Sequence, residues 1–140
     1  MSFREKSTWI TFLLVLGVFG TFFVTAGIQL FGPTHHYRND LMLFLTAIVV
    51  IVVLEVVLHM IVAYRSPKDA KTPQDERERL IALKATRPAF YVLMTGAFLA
   101  IGTIHLGRGP VVPLHAVLFA MWLAELTRNG VMIYYFRRDA

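Results

Sequence analysis

Residues 41–64 read LMLFLTAIVVIVVLEVVLHMIVAY. This stretch contains two ionisable side chains, Glu55 and His59, and is otherwise almost wholly apolar. As an α-helix it is about 36 Å long, enough to cross a hydrocarbon core of ~30 Å. Lipid offers no partner to free backbone groups, so a run of this length is a helix. The alternating polar pattern of a membrane barrel strand is absent.

Three further stretches share this character. Thr8–Phe31 has no charged residue and ends at Gly32-Pro33, where proline removes a backbone donor. Pro88–Leu106 and Val111–Phe136 follow, joined by a short turn carrying Gly107, Gly109 and Pro110. The chain of 140 residues is 56% hydrophobic and only 16% charged, with a mean hydropathy of +0.60, whereas a soluble domain is about 25% charged. The expectation is an all-α, integral-membrane four-helix bundle forming a single transmembrane domain, with spans at about 8–31, 41–64, 88–106 and 111–136. The chain has no cysteine, which excludes disulfides, thiolate metal sites and cysteine nucleophiles. Arg4 and Lys6 before the first run, with Val24-Thr25-Ala26 inside it, outline a signal peptide. The run exceeds the ~7–15 apolar residues of a signal core, so it reads as a retained anchor.

Basic residues set the orientation. Of fourteen Lys and Arg, eleven fall before span one, between spans two and three, or after span four. Arg38 and Arg108 are on the opposite side, and Arg128 is within a span. Both termini and the middle loop are therefore expected in the cytoplasm, with Trp9, Tyr64, Tyr91, Tyr134 and Tyr135 at that interface. The net charge of +5 is thus a topology signal, and nucleic acid is not an expected partner. The expected partners are the lipid bilayer and either other membrane subunits or further copies of the chain.

The middle loop holds a short amphipathic helix, expected over about 73–86 before the third span. Thr72 suits an N-cap, Pro73 a first turn, and Asp75 and Glu76 the positive end of the helix dipole. Leu80, Ile81 and Leu83 form its apolar side and are candidates for docking a partner. The helix is expected to run into span three, with Pro88 either kinking it or marking a break. Small residues mark packing faces: Gly17, Thr21 and Thr25 in span one, a second line through Gly20 and Gly27, and Gly96 and Ala100 in span three.

An offset of 70 residues places Glu55 on Glu125, His59 on Asn129 and Tyr64 on Tyr134, which suggests two tandem helical pairs. Both acids lie within roughly 4 Å of the centres of their spans. A carboxylate there costs at least ~2.5 kcal/mol, so it faces protein, is paired or is protonated. Glu55 with His59, and Glu125 with Arg128 and Asn129, are the candidate intramembrane polar sites. One reading is a polar clasp with Glu55, Glu125 and Arg128 as its core, which suits a non-enzymatic accessory or interaction subunit. The alternative is a proton- or cation-coupled carrier that uses Glu55 and Glu125 and works as an oligomer. Trp122, at the same depth, needs a partner for its indole N–H, and Glu55 and Glu125 are the candidates.

The remaining histidines raise a third reading, a haem b or metal redox subunit. His35, His36, His105 and His115 all fall towards the outer side. Their spacing lacks the His-x-x-x-His pattern of a helix-borne metal site, and interfacial histidines explain them without a cofactor. No phosphate loop, metalloprotease motif or Ser/His/Asp spacing points to catalysis.

The segment Asp75-Glu76-Arg77-Glu78-Arg79-Leu80-Ile81-Ala82-Leu83-Lys84-Ala85, placed just before an aromatic-rich span, resembles small four-helix bacterial inner-membrane proteins of unknown function that share a cytosolic Asp-Glu-Arg segment. The resemblance implies a bacterial cytoplasmic membrane and brings no activity with it.

Overall fold

The computed structural model describes residues 3–30, 37–65, 75–107 and 110–138. Those residues form α1 (Phe3–Leu14), a π-helical turn (Val15–Phe19), α2 (Gly20–Leu30), α3 (Tyr37–Arg65), α4 (Glu76–Gly102), a 3-10 turn (Thr103–Leu106) and α5 (Val111–Arg138). No strand occurs among them. Four helical stretches, Arg4–Ile28, Leu41–Arg65, Glu76–His105 and Val111–Arg138, are long and apolar enough to cross a membrane. The chain divides into two compact units, Met1–Lys71 and Thr72–Ala140.

In the first unit the α1–π–α2 run lies antiparallel to α3. Phe22, Ala26 and Ala47 are its buried core, with Val18, Phe19, Phe23, Leu43 and Phe44 packed around them. The Phe22 and Phe44 rings meet at 5.6 Å. Hydroxyls inside this apolar unit turn back on their own helices: Thr8 donates to the Arg4 carbonyl, Thr25 to Thr21 and Thr46 to Met42. That is the one source of acceptors a threonine finds in lipid. Thr21 spans the carbonyls of Gly17 and Val18 at the exit of the π turn, where the widened turn presents both.

The second unit is an antiparallel hairpin of α4 and α5. Its seam runs along Ile81, Ala85, Ala89 and Ala100, buried on α4, and along Ala120 and Ala124, buried on α5; Asn129, Ile133 and Phe136 of α5 are buried as well. Alanine dominates because helices in lipid gain little from burying larger apolar groups and associate by close backbone approach. At Gly96 the two helices approach closely. A Cβ placed there would overlap the Ala120 Cβ and lie 3.3 Å from the Ala120 Cα. Gly107, at φ +66°, closes the turn after the 3-10 segment. A side chain is disfavoured in that left-handed region.

The amphipathic helix and span three are one element. Helix α4 begins at Glu76, with Asp75 in extended conformation before it, and continues through Pro88 to Gly102. Its start is thus later than 73, and the Thr72 and Pro73 assignments lie outside the described residues. The first turn is set by Arg79 N–H bonding to the Asp75 carbonyl at 3.0 Å, with Glu76 and Glu78 at the positive helix end.

Candidate functional site: two intramembrane polar clusters

Each unit carries one polar cluster on the helix that holds its mid-span glutamate. In the second unit, Glu125 stands at the middle of α5. Its Oε1 accepts a hydrogen bond from Asn129 Nδ2 at 3.0 Å and meets Arg128 Nη1 at 3.4 Å. Asn129 Nδ2 also donates to the Glu125 backbone carbonyl at 3.0 Å. Asn129 is 4% exposed, whereas the Glu125 and Arg128 side chains are 41% and 43% exposed. The cluster is therefore anchored at one end and open at the other.

In the first unit, His59 Nδ1 lies 2.7 Å from the Glu55 backbone carbonyl. A carbonyl only accepts, so Nδ1 carries the proton; in the neutral ring Nε2 then accepts from the Ser7 hydroxyl at 2.6 Å. His59 thus ties α3 to α1. No Glu55–His59 side-chain pair is formed among the described residues; the two ring nitrogens meet the Glu55 carbonyl and Ser7 instead. The Glu55 carboxylate is half-buried and has no hydrogen-bond or ionic partner among the described residues. Beside this tie, Glu5 and Thr8 are buried on α1.

The two helices repeat one local geometry. At the 70-residue offset, His59 bonds the Glu55 carbonyl and Asn129 bonds the Glu125 carbonyl, each from four residues on. Asparagine and histidine Nδ atoms are both short-armed donors, which is why the exchange preserves the bond.

Other candidates are placed as follows. Ala100 is buried and Gly96 contacts Ala120, so both sit in the hairpin seam. Gly17, Thr21 and Thr25 are exposed, and a Cβ on Gly17 would meet nothing within 4 Å. They do not pack the first unit; Thr21 and Thr25 instead line an open groove of ≈ 250 Å³ with Phe22, Thr46 and Ala47. Ile81 is 3% exposed because α4 keeps pairing with α5 beyond the apolar span. Ile81 therefore belongs to the seam, and the exposed apolar side of this segment is Leu80 and Leu83, at 55% and 60%. Lys84, from the same segment, lies 5.4 Å over the Tyr135 ring. Trp122 packs on Phe119 with ring centroids 5.5 Å apart. His115 Nδ1 bonds the Val111 carbonyl at 2.9 Å, and His105 is exposed in the 3-10 turn. His35 and His36 lie outside the described residues. Among the described residues, no group of three or more metal-ligating side chains converges.

A family model for predicted membrane proteins matches residues 5–140, nearly the whole chain. The chain belongs to the DUF2178 family. No curated protein and no solved structure matches it. For this DUF2178 protein the clusters must therefore be read from their own chemistry.

Sequence reading did not find Ser7, Glu5 or Thr8. They precede or open the first apolar run, where they resemble a polar flank. The available signal was His59: a histidine near the end of a span needs a donor or acceptor at its own depth, and the start of span one supplies it. Changing Ser7 to Ala or His59 to Ala is expected to weaken the first unit by about 0.6–1.7 kcal/mol, the range of interhelical hydrogen bonds in membranes. In a double-mutant cycle read by denaturation in detergent, the double variant should lose little more than either single one. Additive losses would mean that the two side chains act separately.

Proposed function

We propose that this protein is a small non-enzymatic subunit of the bacterial cytoplasmic membrane, with both termini cytosolic, that works by pairing with other protein inside the bilayer. The open Glu125–Arg128 pair at the centre of α5 carries this reading. Charged groups at that depth cost at least ~2.5 kcal/mol each when they face lipid, and protein contact removes the cost. The exposed threonine groove and the Leu80–Leu83 face offer further contact area. The test is mild detergent extraction of a tagged chain and mass spectrometry of what co-purifies. Recovery of specific membrane proteins or of further copies of the chain is expected, falling in Glu125→Gln and Arg128→Gln variants. Recovery identical in those variants would refute the role given to the cluster.

A second reading, proton- or cation-coupled transport, is favoured by one observation. Glu55, His59 and Ser7 step from mid-span towards the basic end of the first unit, with Glu5 buried beside them. Such a carrier should lose pH-dependent flux in a Glu55→Gln variant reconstituted in liposomes, while an interaction subunit shows no flux to lose.

A further inference from the structure

We infer that the protein paired at this cluster is a second copy of the same chain, held by reciprocal Glu125–Arg128 contacts across a two-fold axis along the membrane normal; this rests on the intramembrane pairing reading above. A guanidinium has five N–H donors and no acceptor. Arg128 uses one of them on Glu125, at 3.4 Å, longer than the 2.7–2.9 Å of a good charge-assisted bond. The other donors have no partner among the described residues, and neither has Glu125 Oε2. Each copy therefore lacks one carboxylate oxygen for its guanidinium and one donor for its carboxylate. Those are the two things an identical copy presents.

The geometry agrees with the chemistry. Copies of one chain insert with the same orientation, so a pair of them is parallel and like residues meet at like depth. Glu125 and Arg128 are three residues apart, about 4.5 Å along the helix, a step that an arginine side chain spans. In a two-fold contact, Glu125 of one copy faces Arg128 of the other and the reverse holds as well. Lipid chains supply neither donor nor acceptor. A partner with a single charge satisfies only half of the cluster. Exposed Met121 lies one turn above Glu125 on the same line and should face its own counterpart, while Leu123 points to the opposite side of α5.

The native chain has no cysteine, so a single introduced one reports a single position. In membranes containing the full chain, Met121→Cys should give an oxidant-induced disulfide dimer and Leu123→Cys should not. Adding Arg128→Glu or Glu125→Arg should lower the cross-linked fraction roughly tenfold, equivalent to about 1.4 kcal/mol. Co-expressing these two variants under different tags, both with Met121→Cys, should restore a mixed dimer, since an acid pair then faces a basic pair. Where the charge-added variants fail to accumulate, Glu125→Gln with Arg128→Gln removes both charges and should lower the cross-linked fraction severalfold. Equal cross-linking at 121 and 123, a cross-link undiminished by charge removal, or a mixed dimer no more abundant than the single-variant dimers would each overturn the inference. A chain that stays monomeric yet recovers a different membrane protein through Arg128 would overturn the second copy and leave intramembrane pairing standing. A chain that shows neither contact would end both.

Discussion

Replacing Gly96 with Ala will loosen the α4–α5 hairpin by about 1–3 kcal/mol, the usual cost of forcing a methylene-sized group into a close-packed site. The added Cβ falls on the Ala120 Cβ, with the Ala120 Cα at 3.3 Å behind it. Neither atom is the end of a flexible side chain, so the helices themselves must separate. The loss will spread along the seam, because Ala85, Ala89 and Ala100 touch α5 only while the backbones stay close. Gly96→Leu will cost more than Gly96→Ala. Combining Gly96→Ala with Ala120→Gly will recover most of the loss, since one methyl then fills the space that held one before. Thermal or denaturant unfolding in detergent measures all three variants. A fully stable Gly96→Ala protein, or a failed rescue, would show that the close approach does not hold the hairpin together.

Breaking the ion pair on one side only will do more damage than removing it altogether. Glu125→Leu leaves the Arg128 guanidinium without its carboxylate at mid-span, at a cost of about 2.5–3.5 kcal/mol on membrane-insertion scales. Asn129 then also loses its side-chain acceptor and keeps only the Glu125-position carbonyl. Arg128→Leu should be milder, because a carboxylate can take up a proton and remain as a neutral acid, an option a guanidinium lacks. The double Leu variant should accumulate in membranes better than Glu125→Leu, because replacing both members of a pair by apolar groups avoids stranding a charge. Membrane-fraction levels and unfolding midpoints give the order: the double variant and Arg128→Leu above Glu125→Leu. If Glu125→Leu were the best tolerated, the guanidinium would have to be stabilised by something other than Glu125.

Much of the architecture was legible in the sequence because bilayer thickness is a hard length scale. Residues 41–64, 88–106 and 111–136 could be assigned from run length alone, and the structure places a helix over each. Small residues were less informative. Gly96 and Gly17 look alike in sequence, yet one meets Ala120 and the other meets open space. Only the partner helix distinguishes them, and one chain read alone does not name that partner. The polar sites divided in the same way. Contacts within one helix follow from spacing, so Glu125, Arg128 and Asn129 were found together. His59 was read by the same rule as a partner of the Glu55 side chain, but its ring instead joins the Glu55 carbonyl and Ser7, fifty-two residues away in sequence. The apolar stripe Leu80–Leu83 includes Ile81 by spacing, and spacing within one helix does not show that α4 keeps pairing with α5 beyond the apolar run and takes Ile81 inside.

That continuity has a mechanical consequence. Helix α4 runs for 27 residues, a rod about 40 Å long against a hydrocarbon core of ~30 Å. No loop separates its charged head, Glu76–Arg79, from the Gly96 contact. A push or twist delivered to the head reaches that contact through one continuous helix, whose weakest turn is the one at Pro88. Anything that grips those first two turns holds a lever on the glycine–alanine notch inside the membrane.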